Sequence, residues 1–135
     1  MRRACQTGID FKTSMISSVL VVDDDPNLVR LMSRFLTLEG FAPVPASNGA
    51  EALIYLRGGG SASVILLDLR MPVMDGWEFR REQREDPVLA GIPIVVLSGV
   101  EADGLQDMDP AASFHKPVSF PEVVGVVRRL CETAR

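Results

Sequence analysis

Three apolar stretches of this chain end in side chains that a hydrophobic core would not choose. Asp23, Asp24 and Asp25 follow Val19 to Val22, Asp68 follows Ser63 to Leu67, and Ser98 follows Ile92 to Leu97. Carboxylates crowded together repel one another and raise at least one apparent pKa unless a hard cation sits among them. Magnesium is the obvious candidate, because it takes oxygen ligands, keeps several waters and commonly accompanies phosphate. An aspartate is also a competent nucleophile toward phosphorus. Such chemistry needs Asp23, Asp24 and Asp68 at one place, although Asp68 lies far from the others along the chain.

Apolar runs alternate with helical patterns from Val19 onward, five times over, which is the signature of a parallel sheet wrapped by helices. Asp25 reads as a helix cap with Pro26 at the first helical position, and Leu28, Leu31, Met32, Phe35 and Leu36 keep helical spacing up to Gly40. The second strand, Phe41 to Ala46, contains Pro43 and Pro45. Residues two apart face the same side, so both missing donors can point to solvent if this strand is an edge; an irregular loop is the alternative. Asn48 with Glu51 forms a capping box for a helix through Tyr55, closed by Gly58, Gly59 and Gly60. Asp75 and Gly76 open a third helix carrying Trp77 and Phe79; Phe114 lies in a short fifth strand; Ser119 and Glu122 cap a last helix with Val123, Val126, Val127 and Leu130 as its apolar stripe. The expected fold is α/β, a three-layer, flavodoxin-like, doubly wound five-stranded parallel sheet in the order 2-1-3-4-5. In that order the first and third strands are neighbours, and Asp23, Asp24 and Asp68 converge at the carboxyl edge, where ligands bind.

Composition allows one domain and no more. The 135 residues carry 47% hydrophobic and 24% charged side chains, the balance of a soluble globular protein large enough to bury a core unaided. We expect a flexible extension over residues 1–18, the folded domain over 19–131 and a tail over 132–135. A net charge of −4 without a dense basic run argues against direct nucleic-acid binding, and the absence of a long apolar run argues against membrane insertion. Cys5 and Cys131 lack close-spaced partners, which predicts neither a metal site nor a disulfide framework and suits a reducing cytoplasm.

The stretches VLVVDDDP, LLDLRMPVMDG, VVLSG and HKP, in this order over roughly residues 19 to 130, resemble the receiver domain of two-component response regulators, in its stand-alone form. The resemblance implies that Asp68 accepts a phosphoryl group, and that Asp24 binds magnesium directly while Asp23 does so mainly through water. It further implies that Arg70 offers its backbone carbonyl to the same ion, that Ser98 bonds the phosphoryl group and that Lys116 pairs with it. The phosphoryl donor implied is a sensor histidine kinase or a histidine phosphotransfer protein, with a downstream protein target that the sequence leaves unnamed. Magnesium, the Lys116 ammonium and the Ser98 hydroxyl would each neutralise one oxygen of the transferred group. The lone His115 reads as an exposed strand residue rather than a relay.

The chain departs from that pattern in two places. Only 17 residues separate Ser98 from Lys116, roughly one helical turn short, and the segment between them is acidic, which predicts a truncated or irregular fourth helix. Ser113 occupies the position three before Lys116, where the family usually carries an aromatic switch residue. Two other functions compete: a receiver-like interaction module whose phosphorylation chemistry is unused, and an aspartate-nucleophile hydrolase. The hydrolase would want a second acid two residues after the nucleophile, where Arg70 stands.

Overall fold

A computed structural model describes residues 16–99 and 104–133. Its five strands, β1 (Ser18–Val22), β2 (Ala42–Ala46), β3 (Val64–Asp68), β4 (Ile94–Ser98) and β5 (Ala112–His115), form one sheet ordered β2-β1-β3-β4-β5, every pair parallel. The helices are α1 (Pro26–Leu38), α2 (Gly49–Arg57), α3 (Gly76–Glu85), α4 (Leu105–Met108) and α5 (Phe120–Thr133). The expected α/β architecture and strand order are both present.

Alternation along the central strands divides the core in two. Leu20, Val22, Ile65, Leu67, Ile94 and Val96 face α2 and α3, joined by Leu53, Leu56 and Phe79. Val19, Val21, Val64, Leu66, Val95 and Leu97 face α1 and α5, joined by Met32, Leu36, Val123 and Val127. This explains the unbroken apolar runs: a strand covered on both faces buries every residue, and β3 and β4 do so at all five positions. Each fully buried side chain of Val or Leu size contributes about 1.5–3 kcal/mol.

Local signals start the helices where expected. The Asp25 carboxylate accepts from the backbone N–H of Asn27 (3.0 Å) and Leu28 (3.4 Å), with Pro26 opening α1. Asn48 caps α2 by accepting from Glu51 N–H at 2.9 Å, while the Glu51 carboxylate reaches past the cap to the N–H of Ser47 at 2.8 Å. The fourth helix is indeed short, four residues framed by Gly104 at φ 77° and Asp109 at φ 50°.

Some boundaries differ from expectation. Ser18 already belongs to β1, Ser63 precedes β3, β4 begins only after Pro93, and α5 extends to Thr133. Pro93 has no N–H for a ladder, so regular pairing starts beyond it. Most of the expected N-terminal extension, and Cys5 with it, lies outside the described residues, whereas Cys131 is buried against α5's side of the core. No described helix is long and apolar enough to cross a membrane.

The two prolines of β2 obey a simple parity. Ala42 donates to Ser17 and Ala46 accepts from Asp23, so even-numbered residues of β2 point their peptide groups at β1, and Pro43 and Pro45 point theirs outward. Among the described residues β2 is an edge strand, paired with β1 alone.

Candidate functional site

The carboxyl ends of β1, β3 and β4 meet at one rim. Pairing of β1 with β3 carries Val22 alongside Leu67, so the residues that follow, Asp23 and Asp68, emerge together. One carboxylate oxygen from each of Asp23, Asp24 and Asp68 lies within 4.8 Å of the others. Asp23 and Asp68 are buried, at 2% and 5% exposure, and Asp24 is exposed.

Lys116 is held over the acids by its own strand. Its backbone N–H donates to the Ser98 carbonyl at 2.8 Å, directly after β5, and the peptide bond to Pro117 is cis. From there Nζ donates to Asp23 Oδ2 at 2.9 Å and lies 3.4 Å from Asp68 Oδ1. The other Asp23 oxygen accepts from Asp25 N–H at 2.9 Å, so this carboxylate bridges the β1 exit loop and the lysine. Ser98, at 7% exposure, closes β4 next to these groups, in register with the exposed His115.

Burial sets the electrostatics. The Asp68 carboxyl is pushed from 3.8 up to about 6, first by removal from water and then by the Asp23 charge, with Lys116 pulling the other way and Asp24 adding a smaller push. Burial also works against the Lys116 ammonium, yet its hydrogen bond to Asp23 and the charges of Asp23 and Asp68 outweigh this and raise its pKa. A single ammonium thus offsets the repulsion among three carboxylates only in part. The residual negative charge on hard oxygen donors is the environment that a magnesium ion fits.

The loop after Asp68 needs its glycine. Gly76 begins α3 against the end of β3, donating to Leu69 O at 2.8 Å. A Cβ there would stand 2.6 Å from the Asp68 carbonyl oxygen and 2.8 Å from Leu69 Cα, so any larger residue would press on the backbone that carries Asp68. The sequence alone marks Gly76 only as part of the opening of the third helix. In the same loop Val73 takes φ 70°, a strained conformation for a β-branched residue, with 82% of its surface exposed.

Not every singled-out residue joins the site. Asp25 serves as the α1 cap. Arg70 is a candidate through its backbone carbonyl alone; its side chain lies 5.6 Å over the Trp77 ring. Beside Asp23 and Asp24 a cleft of about 660 Å³ runs between α1 and the end of β2, with Arg30, Ser47 and Glu51 along it; neither Arg30 nor Ser47 stood out in the sequence, because each looks like an ordinary surface residue.

Comparison with known proteins agrees with this geometry. A family model described as the response regulator receiver domain matches residues 19–127. The chain is 33% identical over 120 residues to the response regulator PleD of Caulobacter vibrioides, covering 86% of this chain and 26% of that one. It is also 33% identical over 119 residues to the transcriptional regulatory protein CpxR homolog of Haemophilus influenzae, covering 85% and 50%. The chain therefore spans half the length or less of these relatives. Among solved structures, a CheY-like receiver domain protein from Methanospirillum hungatei superposes with a TM-score of 0.80 at 19% identity, covering 87% of this chain and 95% of that one. Vibrio cholerae chemotaxis protein CheY4 gives 0.77 at 26% identity, covering 85% and 98%. With its sheet order, acidic rim and matched sequence in agreement, the chain belongs to the response regulator receiver domain family of two-component signalling.

Proposed function

We propose that this protein accepts a phosphoryl group on Asp68 from a histidine kinase or histidine phosphotransfer protein, in a magnesium-dependent step, and that phosphorylation alters its binding to a downstream protein. The observation that carries this reading is the gathering of the Asp23, Asp24 and Asp68 carboxylates within 4.8 Å beside the Lys116 ammonium. Asp23, Asp24, Asp68 and the Arg70 backbone carbonyl would hold the magnesium ion. Bound there, it would supply positive charge to the phosphoryl oxygens.

The chain's own groups divide the remaining work. An Asp68 oxygen forms the new bond to phosphorus while the bond from phosphorus to the donor's imidazole nitrogen breaks. Lys116, already shared between Asp23 and Asp68, meets one phosphoryl oxygen with its ammonium, and the Ser98 hydroxyl meets another. Gly99, exposed and with open space where a Cβ would stand, leaves the pocket accessible to the donor and later to water. The protein is a signalling partner rather than a classical enzyme, catalysing at most its own phosphorylation and dephosphorylation. We place it in the cytoplasm, with the working domain over residues 19–131 and without direct nucleic-acid contact.

Incubation with a small acyl-phosphate donor and magnesium, followed by intact-mass measurement, should reveal one labile phosphoryl adduct that is absent from Asp68→Asn and from metal-free samples. The exposed Ser113 on β5, in place of an aromatic residue, and the four-residue α4 favour a second reading, an interaction module with unused chemistry. Unmodified wild-type protein at saturating magnesium would select that one.

A further inference from the structure

α3 has two stripes at helical spacing. Gly76, Phe79, Arg80 and Gln83 are buried, and the adjacent stripe of Trp77, Arg80, Arg81 and Arg84 borders α4. Because α4 is only four residues long, a cleft of about 470 Å³ remains between the two helices, walled by Trp77, Arg80, Arg81 and Arg84 on one side and by Asp107 and Met108 on the other.

The three guanidinium groups are not equivalent. Arg80 is spent internally: Nε donates to Met108 O at 2.8 Å, Nη2 to Asp109 O at 3.1 Å and Nη1 to Gln83 Oε1 at 2.7 Å. Arg84 gives one nitrogen to Asp107 O at 2.6 Å and keeps the rest of its fork at the surface. Arg81 is exposed and forms no ion pair among the described residues. Among the described residues, Glu85 and Asp107 supply the carboxylates on the cleft wall, and Arg70 adds a further positive charge behind the Trp77 ring. Positive charge is therefore concentrated here, on a chain whose net charge is −4. A repulsive overall charge disfavours nucleic acid, and a bare inorganic anion would make no use of the apolar wall that Trp77 and Met108 present. Carboxylates with an apolar side chain among them match both features.

We propose that this cleft docks a short acidic segment of a partner protein, its carboxylates meeting Arg81 and Arg84 and an apolar side chain resting on Trp77. The site uses none of the groups that act on the phosphoryl.

Trp77 is the sole tryptophan of the chain, so its fluorescence reports on the cleft directly. The full chain, at fixed magnesium, is titrated with short synthetic peptides rich in Asp and Glu that carry one Leu or Phe. Matched peptides with Lys in place of the acids and inorganic pyrophosphate serve as comparison probes. We expect a saturable change with the acidic peptides alone, weakened roughly ten-fold in Arg81→Glu, strengthened a few-fold in Glu85→Gln, and reduced by added salt. Asp68→Asn should bind the peptides as wild type does while losing its phosphoryl adduct, which separates this test from that of the phosphorylation chemistry. No saturable change with acidic peptides, equal affinity in Arg81→Glu, or tighter binding of pyrophosphate than of any peptide would overturn the proposal.

Discussion

Asp24 and Asp25 are adjacent, both exposed and chemically identical, yet their surroundings assign them different work. Asp25 spends its carboxylate on two backbone N–H groups at the start of α1, while Asp24 directs an oxygen toward Asp23 and Asp68. Asp24→Asn should therefore weaken magnesium binding about ten-fold or more, whereas Asp25→Ala should leave affinity nearly unchanged and lower stability by about 0.5–2 kcal/mol. Magnesium titration followed by calorimetry, with thermal melts of both variants, separates the two effects; equal losses of affinity would undo the assignment. Asp23 has a third job. It is the anchor of Lys116, so the residue expected mainly to reach magnesium through water also positions the ammonium.

At the scale of elements, the least expected device is the buried pair on α3. Gln83 has no exposed surface, donates to Leu89 O and Ile92 O at 2.9 and 3.0 Å, and accepts from Arg80, thereby fixing the turn that leads into β4. Burial, then the neighbouring Arg84, lowers the Arg80 pKa, with Asp109 opposing. Gln83→Leu keeps the volume but strips the Ile92 carbonyl and one guanidinium nitrogen of their partner, and leaves the Leu89 carbonyl with the Ile92 N–H alone, so it should lower unfolding free energy by about 3 kcal/mol in a denaturant titration. Glu82→Gln, which loses only the exposed ion pair to Arg57 at 3.2 Å, should change it by less than about 0.5 kcal/mol. The strands, the caps at Asp25, Asn48 and Asp75, and the rim of Asp23, Asp24 and Asp68 were all legible in the sequence, because strand-end acids and capping residues carry strong local signals. Arg80 and Gln83 were not: their burial depends on where the short α4 lies, a tertiary outcome that polarity alone misreads. Gly76 and Phe79 at the same helical spacing held the clue.

For the whole molecule, the acidic rim is a stability cost that its ligand can relieve. A carboxyl whose folded pKa exceeds its unfolded value binds more proton when folded between the two, so stability falls as pH rises from 3.8 through about 6, and Asp68 is destabilising at neutral pH in the absence of metal. Asp68→Asn should thus raise metal-free stability at pH 7.5 by about 3 kcal/mol, and the gain should vanish near pH 4. Added magnesium should stabilise the wild type more than the variant, since only a ligand preferring the folded state shifts the balance. Thermal melts across pH, with and without magnesium, test both statements; a variant less stable than wild type at pH 7.5 would contradict the electrostatic account.

The parity of Pro43 and Pro45 bears on assembly. Within Ala42–Ala46 both residues whose peptide groups face away from β1 are prolines, so this rim offers carbonyl oxygens and not one amide hydrogen. An incoming strand, from a second copy or from an unfolded neighbour, would find half of its ladder missing. Growth of the sheet is closed on that flank, leaving any self-association to helical faces or to the short β5 margin.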